Sequence, residues 1–305
     1  LLFLSWGSGA FAIITMFLLR HRIVPATAAA LSCTALLLAD CLPMNQFISP
    51  IPPVLADTVW MSIHVPIVMT SYSVLALAVL FAHLQLASLA IAPHKSAVHA
   101  TIDSLHYWYV HVGAILLFAG IVTGSIWAAS SWGRYWGWDP KEVWSLVALL
   151  GYLAILHSRT GMHHCVRWST AASVVVGVGV VAMVLVNFDG LSVYKMLAVA
   201  AASAALVFMV LAHGMQATAL KSILAFWLII MTYVGVNYVL GMGLHSYGFG
   251  GGAVVRRALE AAACDLAFVL LCCGIYSLRK RDGTGHKRPP ETGDWSAVDG
   301  LTVSG

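Results

Sequence analysis

Apolar positions along this chain fall into long blocks divided by short polar stretches, and each block is near the ~20 residues needed to cross a bilayer core. Nine blocks are long enough to be helices: residues 3–19, 23–40, 64–92, 105–128, 142–158, 169–187, 194–213, 221–241 and 255–278. Only a helix or a closed barrel satisfies its own backbone polar groups in lipid. Blocks this long and uniformly apolar do not resemble the short alternating strands of a barrel. The predicted fold is therefore all-α, a polytopic transmembrane bundle of about nine helices.

The stretches between blocks refine this picture. Pro43, Pro50, Pro52 and Pro53 exclude a continuous helix over 41–60, because proline lacks the backbone donor and clashes with the preceding turn. That loop is expected to pack over the outer membrane face. Residues 93–104 (PHKSAVHATIDS) read as a short polar cytoplasmic connector, and the Ala- and Val-rich segment 169–213 reads as scaffold. After Tyr276 the chain becomes charged and rich in Gly, Pro and Ser. The expected organisation is one transmembrane domain over 1–278 and a basic, disordered cytoplasmic tail over 279–305.

Composition agrees with lipid as the solvent. Of 305 residues, 60% are hydrophobic and 9% charged, and mean hydropathy is +0.88, whereas a soluble chain carries roughly 25% charged residues. The basic residues set an orientation. Arg20, Arg22, Lys95, Arg159, Arg167, Lys221, Arg279, Lys280, Arg281, Lys287 and Arg288 fall on one side, 11 of the 16 basic residues. Arg134, Lys141, Lys195, Arg256 and Arg257 fall on the other. By the positive-inside rule the first set is cytoplasmic. The N-terminus is then outside and the C-terminus inside, with the loops at 41–63, 129–141, 188–193 and 242–254 facing outward. The net charge of +4 reflects this bias and gives no reason to invoke nucleic acid. No cleavable signal peptide is recognisable, and a start at Leu1 without methionine leaves room for upstream sequence. The six cysteines form no C-x-x-C pair and mostly lie in apolar blocks. They indicate no disulfide framework, zinc site or thiol-exchange motif.

The candidate chemistry is concentrated in WAASSWGRYWGWDPKEVW, residues 127–144. Trp127, Trp132, Trp136, Trp138 and Trp144 are five of the eleven tryptophans in the chain. An interfacial aromatic belt accounts for one or two tryptophans per helix end. Five around Gly133 and Gly137 fit better an aromatic surface for a planar ligand. Asp139-Pro140-Lys141-Glu142 reads as a helix start, with Asp as N-cap, Pro at N1 and Glu closing a capping box. Arg134 and Lys141 lie on the outer side, suited equally to carboxylates such as haem propionates and to lipid phosphates.

Thirteen histidines are many for so apolar a chain. His64 begins the third block, in WMSIHVPIVMTSY, and His245 lies in the outer loop after the eighth, in GVNYVLGMGLHSYGFG. Both share the membrane face of the tryptophan loop, and a pair of imidazoles from opposite flanks suits the two axial positions of haem iron. His157, at the inner end of the fifth block in GYLAILHSR, is a third candidate metal or haem ligand. It lies at a depth similar to His83, His106 and His111. The remaining histidines, His99 among them, read as ordinary solvated residues.

WGRYWGWDPKEVWSL followed by GYLAILHSR resembles the tryptophan-rich WWD signature of CcsA/ResC-type cytochrome c assembly proteins. SIHVPIVMTSYS and GVNYVLGMGLHSYGFG resemble the two external-histidine regions of the same family. The resemblance covers roughly 41–165 and 221–278. It implies a haem-handling protein of the bacterial inner membrane, with the WWD loop facing the periplasm. There haem b would be presented to the C-x-x-C-H thiols of apocytochrome c, as part of a holocytochrome c synthase. His64 and His245 would be the external axial ligands and His157 the histidine of an inner haem site. Trp127, Trp132, Trp136, Trp138 and Asp139 would cradle the haem, with Arg134 beside them. The inner site's other histidine would come from a ResB/CcsB-like partner subunit. One departure is the distance of 88 positions between His157 and His245, which makes 169–213 look like an inserted helix pair. Two alternatives remain: a haem exporter without synthase activity, and a b-type cytochrome subunit. Against the latter, His64 and His83 lie 19 apart on one block and no other block repeats that spacing.

Overall fold

The computed structural model describes residues 2–21, 23–41, 58–158, 212, 214–240 and 252–281. Every regular element among the described residues is helical. The elements are α1 (Leu2–Leu19), α2 (Ile23–Cys41), α3 (Val59–Ile91), α4 (Ser96–Trp132), α5 (Pro140–His157), α6 (Met215–Ile230) and α7 (Gly252–Arg281), with α6 continuing as π-helical turns over Met231–Leu240. Among the described residues, four spans are long and apolar enough to cross a membrane: α3, α4, Met215–Tyr238 and Gly252–Arg279. The shorter α1 and α2 are apolar as well. Seven of the nine predicted blocks thus correspond to described helices. Those over 169–187 and 194–213 lie outside the described residues, as do most of the 41–60 loop and the tail beyond Arg281.

Several boundaries differ from the sequence reading, among them the start of α3 at Val59 and the end of α4 at Trp132. The connector expected over 93–104 is helical from Ser96 onward, because after Pro93 the stretch contains no further proline and no glycine, and polarity alone does not break a helix. His99, expected to be solvated, is 1% exposed, and its Nε2 donates to the Ser88 carbonyl at 3.2 Å. Lys221, expected in a cytoplasmic loop, is buried, since α6 already begins at Met215. At the other end α7 extends to Arg281. Arg279 there donates to the Ile91 carbonyl at 2.6 Å, which satisfies an end carbonyl of α3.

The antiparallel pair α3–α4 is the spine of the bundle, and glycines on α4 set its register. A Cβ built at Gly113 would collide with Leu75 Cδ2, one at Gly120 would lie 2.6 Å from Val68 Cγ2, and one at Gly124 2.6 Å from His64 Cε1. As the α4 position rises by seven and then four, the α3 position falls by the same steps. Three side chains of α3 therefore seat in three gaps that only glycine leaves open, the close approach that small residues permit between membrane helices. Ser71 reinforces the pair by donating to the Gly113 carbonyl at 2.9 Å.

The other helices pack around this spine. α1 meets α3 where Gly7 faces Ser73, and meets α4 where Thr15 Oγ1 and Tyr109 OH are 2.8 Å apart. The Tyr107 hydroxyl donates to the Leu156 carbonyl at 3.0 Å, joining α4 to α5. One core runs through Val74, Phe81, Tyr109, Leu117, Tyr152 and Ala225. A second, around Ala82, Leu86, Ile223 and Cys272, seats α6 and α7 on α3. Ile115, Phe118, Leu150, Leu266 and Leu270 remain exposed, the pattern of a helical bundle surrounded by lipid.

Candidate functional site

His64 occupies the second turn of α3. Its Nδ1 lies 2.9 Å from the Gly120 carbonyl. A carbonyl only accepts, so Nδ1 carries the proton, and in the neutral ring the lone pair is on Nε2. Gly124, one helical turn beyond Gly120, provides the space in which the imidazole lies. One turn further, the Trp127 indole stacks on the ring, with planes 4° apart and centroids 6.3 Å apart. Trp132 meets Trp127 edge-on, centroids 4.7 Å apart. Gly120, Gly124 and Trp127 thus form one stripe of α4 that fixes the position, tautomer and plane of a single imidazole.

α4 ends at Trp132, so Trp127 and Trp132 lie in its last two turns and the non-helical loop is confined to Gly133–Asp139. Gly133 closes the helix in the left-handed region, φ +72°, as glycine commonly does. Glu142 organises the loop from its far end. Its Oε2 accepts from the backbone N–H of Gly137 at 2.8 Å and of Asp139 at 3.1 Å. Asp139, itself buried, accepts from the Lys141 N–H at 3.1 Å. The capping box expected from Asp139-Pro140-Lys141-Glu142 is formed. Arg134 folds across Gly137, where any Cβ would fall 2.5 Å from its Cζ.

The tip of the loop presents aromatic surface. Trp138 adopts φ +57°, a left-handed conformation that costs a bulky residue about 1–2 kcal/mol. Its side chain is 73% exposed and that of Tyr135 66%. Trp136 meets Trp138 edge-to-face, centroids 6.0 Å apart. Backbone strain of this kind clusters at active sites, ligand clamps and switch regions. On the other side, Lys141 Nζ donates to Asn237 Oδ1 at 3.2 Å and lies 5.8 Å above the Tyr233 ring. The start of α5 is thereby tied to the π-helical turns that lead towards residue 245.

Of the candidates read from sequence, His64, Trp127 and Trp132 touch in succession, and Arg134, Trp136, Trp138 and Asp139 form the adjoining loop at the same end of the bundle. His157 is elsewhere. It is the last residue of α5, at the opposite end from Asp139, exposed, with Nδ1 donating to the Leu153 carbonyl at 2.8 Å. His245 lies outside the described residues. Sequence reasoning missed Gly120, Gly124 and Asn237. The four-residue spacing of the two glycines is a readable sign of close helix approach, whereas Asn237 carries no signal.

Among the described residues no three His, Cys, Asp or Glu side chains gather as a metal site. What His64 offers is one oriented imidazole beside aromatic faces, which fits a metal already held by its own flat macrocycle. Fold and site together define a multi-pass helical membrane protein with a carbonyl-oriented histidine next to an exposed tryptophan loop. Residues 1–197 match the family described as Cytochrome C assembly protein, and the chain belongs to it. Among its relatives is the cytochrome c biogenesis protein CcsA of Prochlorococcus marinus strain MIT 9303, 30% identical over 284 residues that cover 82% of this chain and 73% of that protein. The protein of the same name from Synechococcus sp. strain CC9902 is 30% identical over 235 residues, 67% of this chain and 60% of its own length. A third, from Synechococcus sp. strain CC9311, is 34% identical over 148 residues, 37% of this chain and 48% of its own.

Proposed function

We propose that this chain acts in cytochrome c biogenesis by holding haem b at the outer face of a bacterial inner membrane, for covalent attachment to the C-x-x-C-H motif of apocytochrome c. His64 and His245 are the axial ligands. Trp127, Trp132, Trp136, Trp138, Asp139 and Arg134 cradle the porphyrin, with Arg134 available to a propionate. The N-terminus is outside, the bundle of residues 1–278 does the work, and the basic tail is cytoplasmic. His157 belongs to an inner haem site completed by a ResB/CcsB-like partner subunit.

One observation carries this reading: the His64 imidazole is fixed by a backbone carbonyl, a glycine gap and a parallel indole, directly beside the exposed tryptophan loop. Such support orients a ligating histidine and raises its basicity. Bound haem supplies the iron and the vinyl groups, and the apocytochrome supplies the thiols. The chain's contribution is geometry. The imidazoles set the height of the macrocycle, and the loop sets which edge faces the incoming cysteines. Holding reactants in one geometry is worth several kcal/mol of barrier, of order 7–11 in the best cases.

The test is an absorption spectrum of the purified protein. His64→Ala and His245→Ala should each lose or shift the haem bands, with recovery on addition of free imidazole. Wild-type spectra from both variants would mean that these histidines do not hold the iron.

A further inference from the structure

Outside the site, three membrane-embedded side chains meet at one point. Asp265 on α7 has both carboxylate oxygens engaged. Oδ2 accepts from Trp227 Nε1 of α6 at 2.5 Å, and Oδ1 lies 2.5 Å from His83 Nε2 of α3. His83 Nδ1 donates to the Val79 carbonyl at 2.7 Å, and its ring packs against Phe268 with centroids 5.6 Å apart. Neither ring nitrogen of His83 is left for iron, contrary to what a b-type cytochrome would need.

A carboxylate within a spanning helix is expensive unless fully partnered. Apolar contact alone would hold three helices together at less cost, but it tolerates sliding. A converging set of directional bonds does not, and polar groups inside helical assemblies are best attested as devices that fix register.

The placement of this set indicates which register it fixes. Trp227 lies thirteen residues before Leu240, and Asp265 thirteen residues after Gly252. Gln216 Nε2 reaches Cys273 Sγ at 3.3 Å further along, so α6 and α7 are antiparallel. The segment that joins them in sequence, 241–251, contains His245. No side chain of α7 between Gly252 and Cys264 is fully buried, so that half of the helix is only partly covered, in part by the π-helical turns of α6. His83 in turn stands on α3, the helix that carries His64.

We propose that His83, Asp265 and Trp227 are positioning residues that pin α6 and α7 to α3, and so set the register of the two helices that flank the His245 segment in sequence against the helix that bears His64. The inference rests on the reading of those two histidines as a ligand pair, and its test separates the two ideas. Spin labels attached through non-cysteine chemistry at Val59 and Gly252, the outer starts of α3 and α7, report the register by pulsed EPR without any haem. The haem spectrum of the same samples reports the ligands.

Wild type should give one narrow distance. Asp265→Ala should broaden or shift it by about one helical turn, ~5 Å, and reduce haem retention several-fold. The exchange His83→Asp with Asp265→His should restore both. Trp227→Phe, which keeps the aromatic bulk and removes one donor, should give intermediate values of both, and it decides the matter if Asp265→Ala does not fold. An unchanged distance in these variants would overturn the pin. A changed distance with an unaltered haem spectrum would overturn its positioning role. Loss of the ligand-pair reading would instead appear as normal haem in His64→Ala and His245→Ala, whatever the distances show.

Discussion

The seat of His64 is built almost entirely from what α4 lacks. Gly124 has no side chain, and a methyl there would stand 2.6 Å from His64 Cε1 and 2.9 Å from Nδ1. Gly124→Ala should therefore swing the imidazole off the Gly120 carbonyl, because the opposing group is a ring trapped between helices rather than the end of a flexible chain. The expected result is a weakened, shifted haem spectrum approaching that of His64→Ala, with the helical content unchanged by circular dichroism. An alanine variant with wild-type spectrum would mean that the gap does not position the ring. At this scale the sequence is informative about residue types and silent about their support. His64 and Trp127 are readable as candidates from their flanking motifs. The parallel stack between them is not, because it joins positions 63 apart through a helix crossing that no local pattern encodes.

Among the elements, the segment from Gly133 to Glu142 shows how a short loop acquires rigidity. Glu142 accepts two backbone N–H groups and Asp139 a third, so the loop is ordered from the start of α5 backwards. Glu142→Ala removes two of those bonds. It should lower stability by about 1 kcal/mol, the usual worth of a helix cap, and speed amide exchange at 133–139 well above that of the α5 interior. Equal exchange in variant and wild type would show that the loop is held by other means. This element is legible because caps are local: Asp-Pro-Lys-Glu specifies its own geometry within four residues. The polar stretch after Pro93 misleads for the opposite reason. Burial of His99 depends on α3 folding back against it, and a solvated loop and a buried polar helix have the same composition.

For the molecule as a whole, hydrophobic block length marks the helices and charge bias suggests an orientation. Lys221 shows the weak point of the second argument, since a lysine buried in α6 has no vote on which side is cytoplasmic. The other basic residues of that set still predict the outcome of a reporter experiment. A fusion active only in the cytoplasm should work when joined after Arg281 and fail when inserted at Tyr135. The reverse pattern would invert the bundle and place the tryptophan loop inside. The length of the spine also constrains where chemistry can occur. α3 has 33 residues and α4 37, so they measure about 50 and 55 Å at 1.5 Å per residue. To hide such lengths in ~30 Å of hydrocarbon would take tilts near 55°, beyond the roughly 40° limit seen for membrane helices. At least one end of each helix must stand clear of the hydrocarbon, and on the proposed function that end is the one that bears His64 and the indoles. On the proposed function, an apocytochrome would then reach a ligand held at that end from the aqueous side, without entering the hydrocarbon.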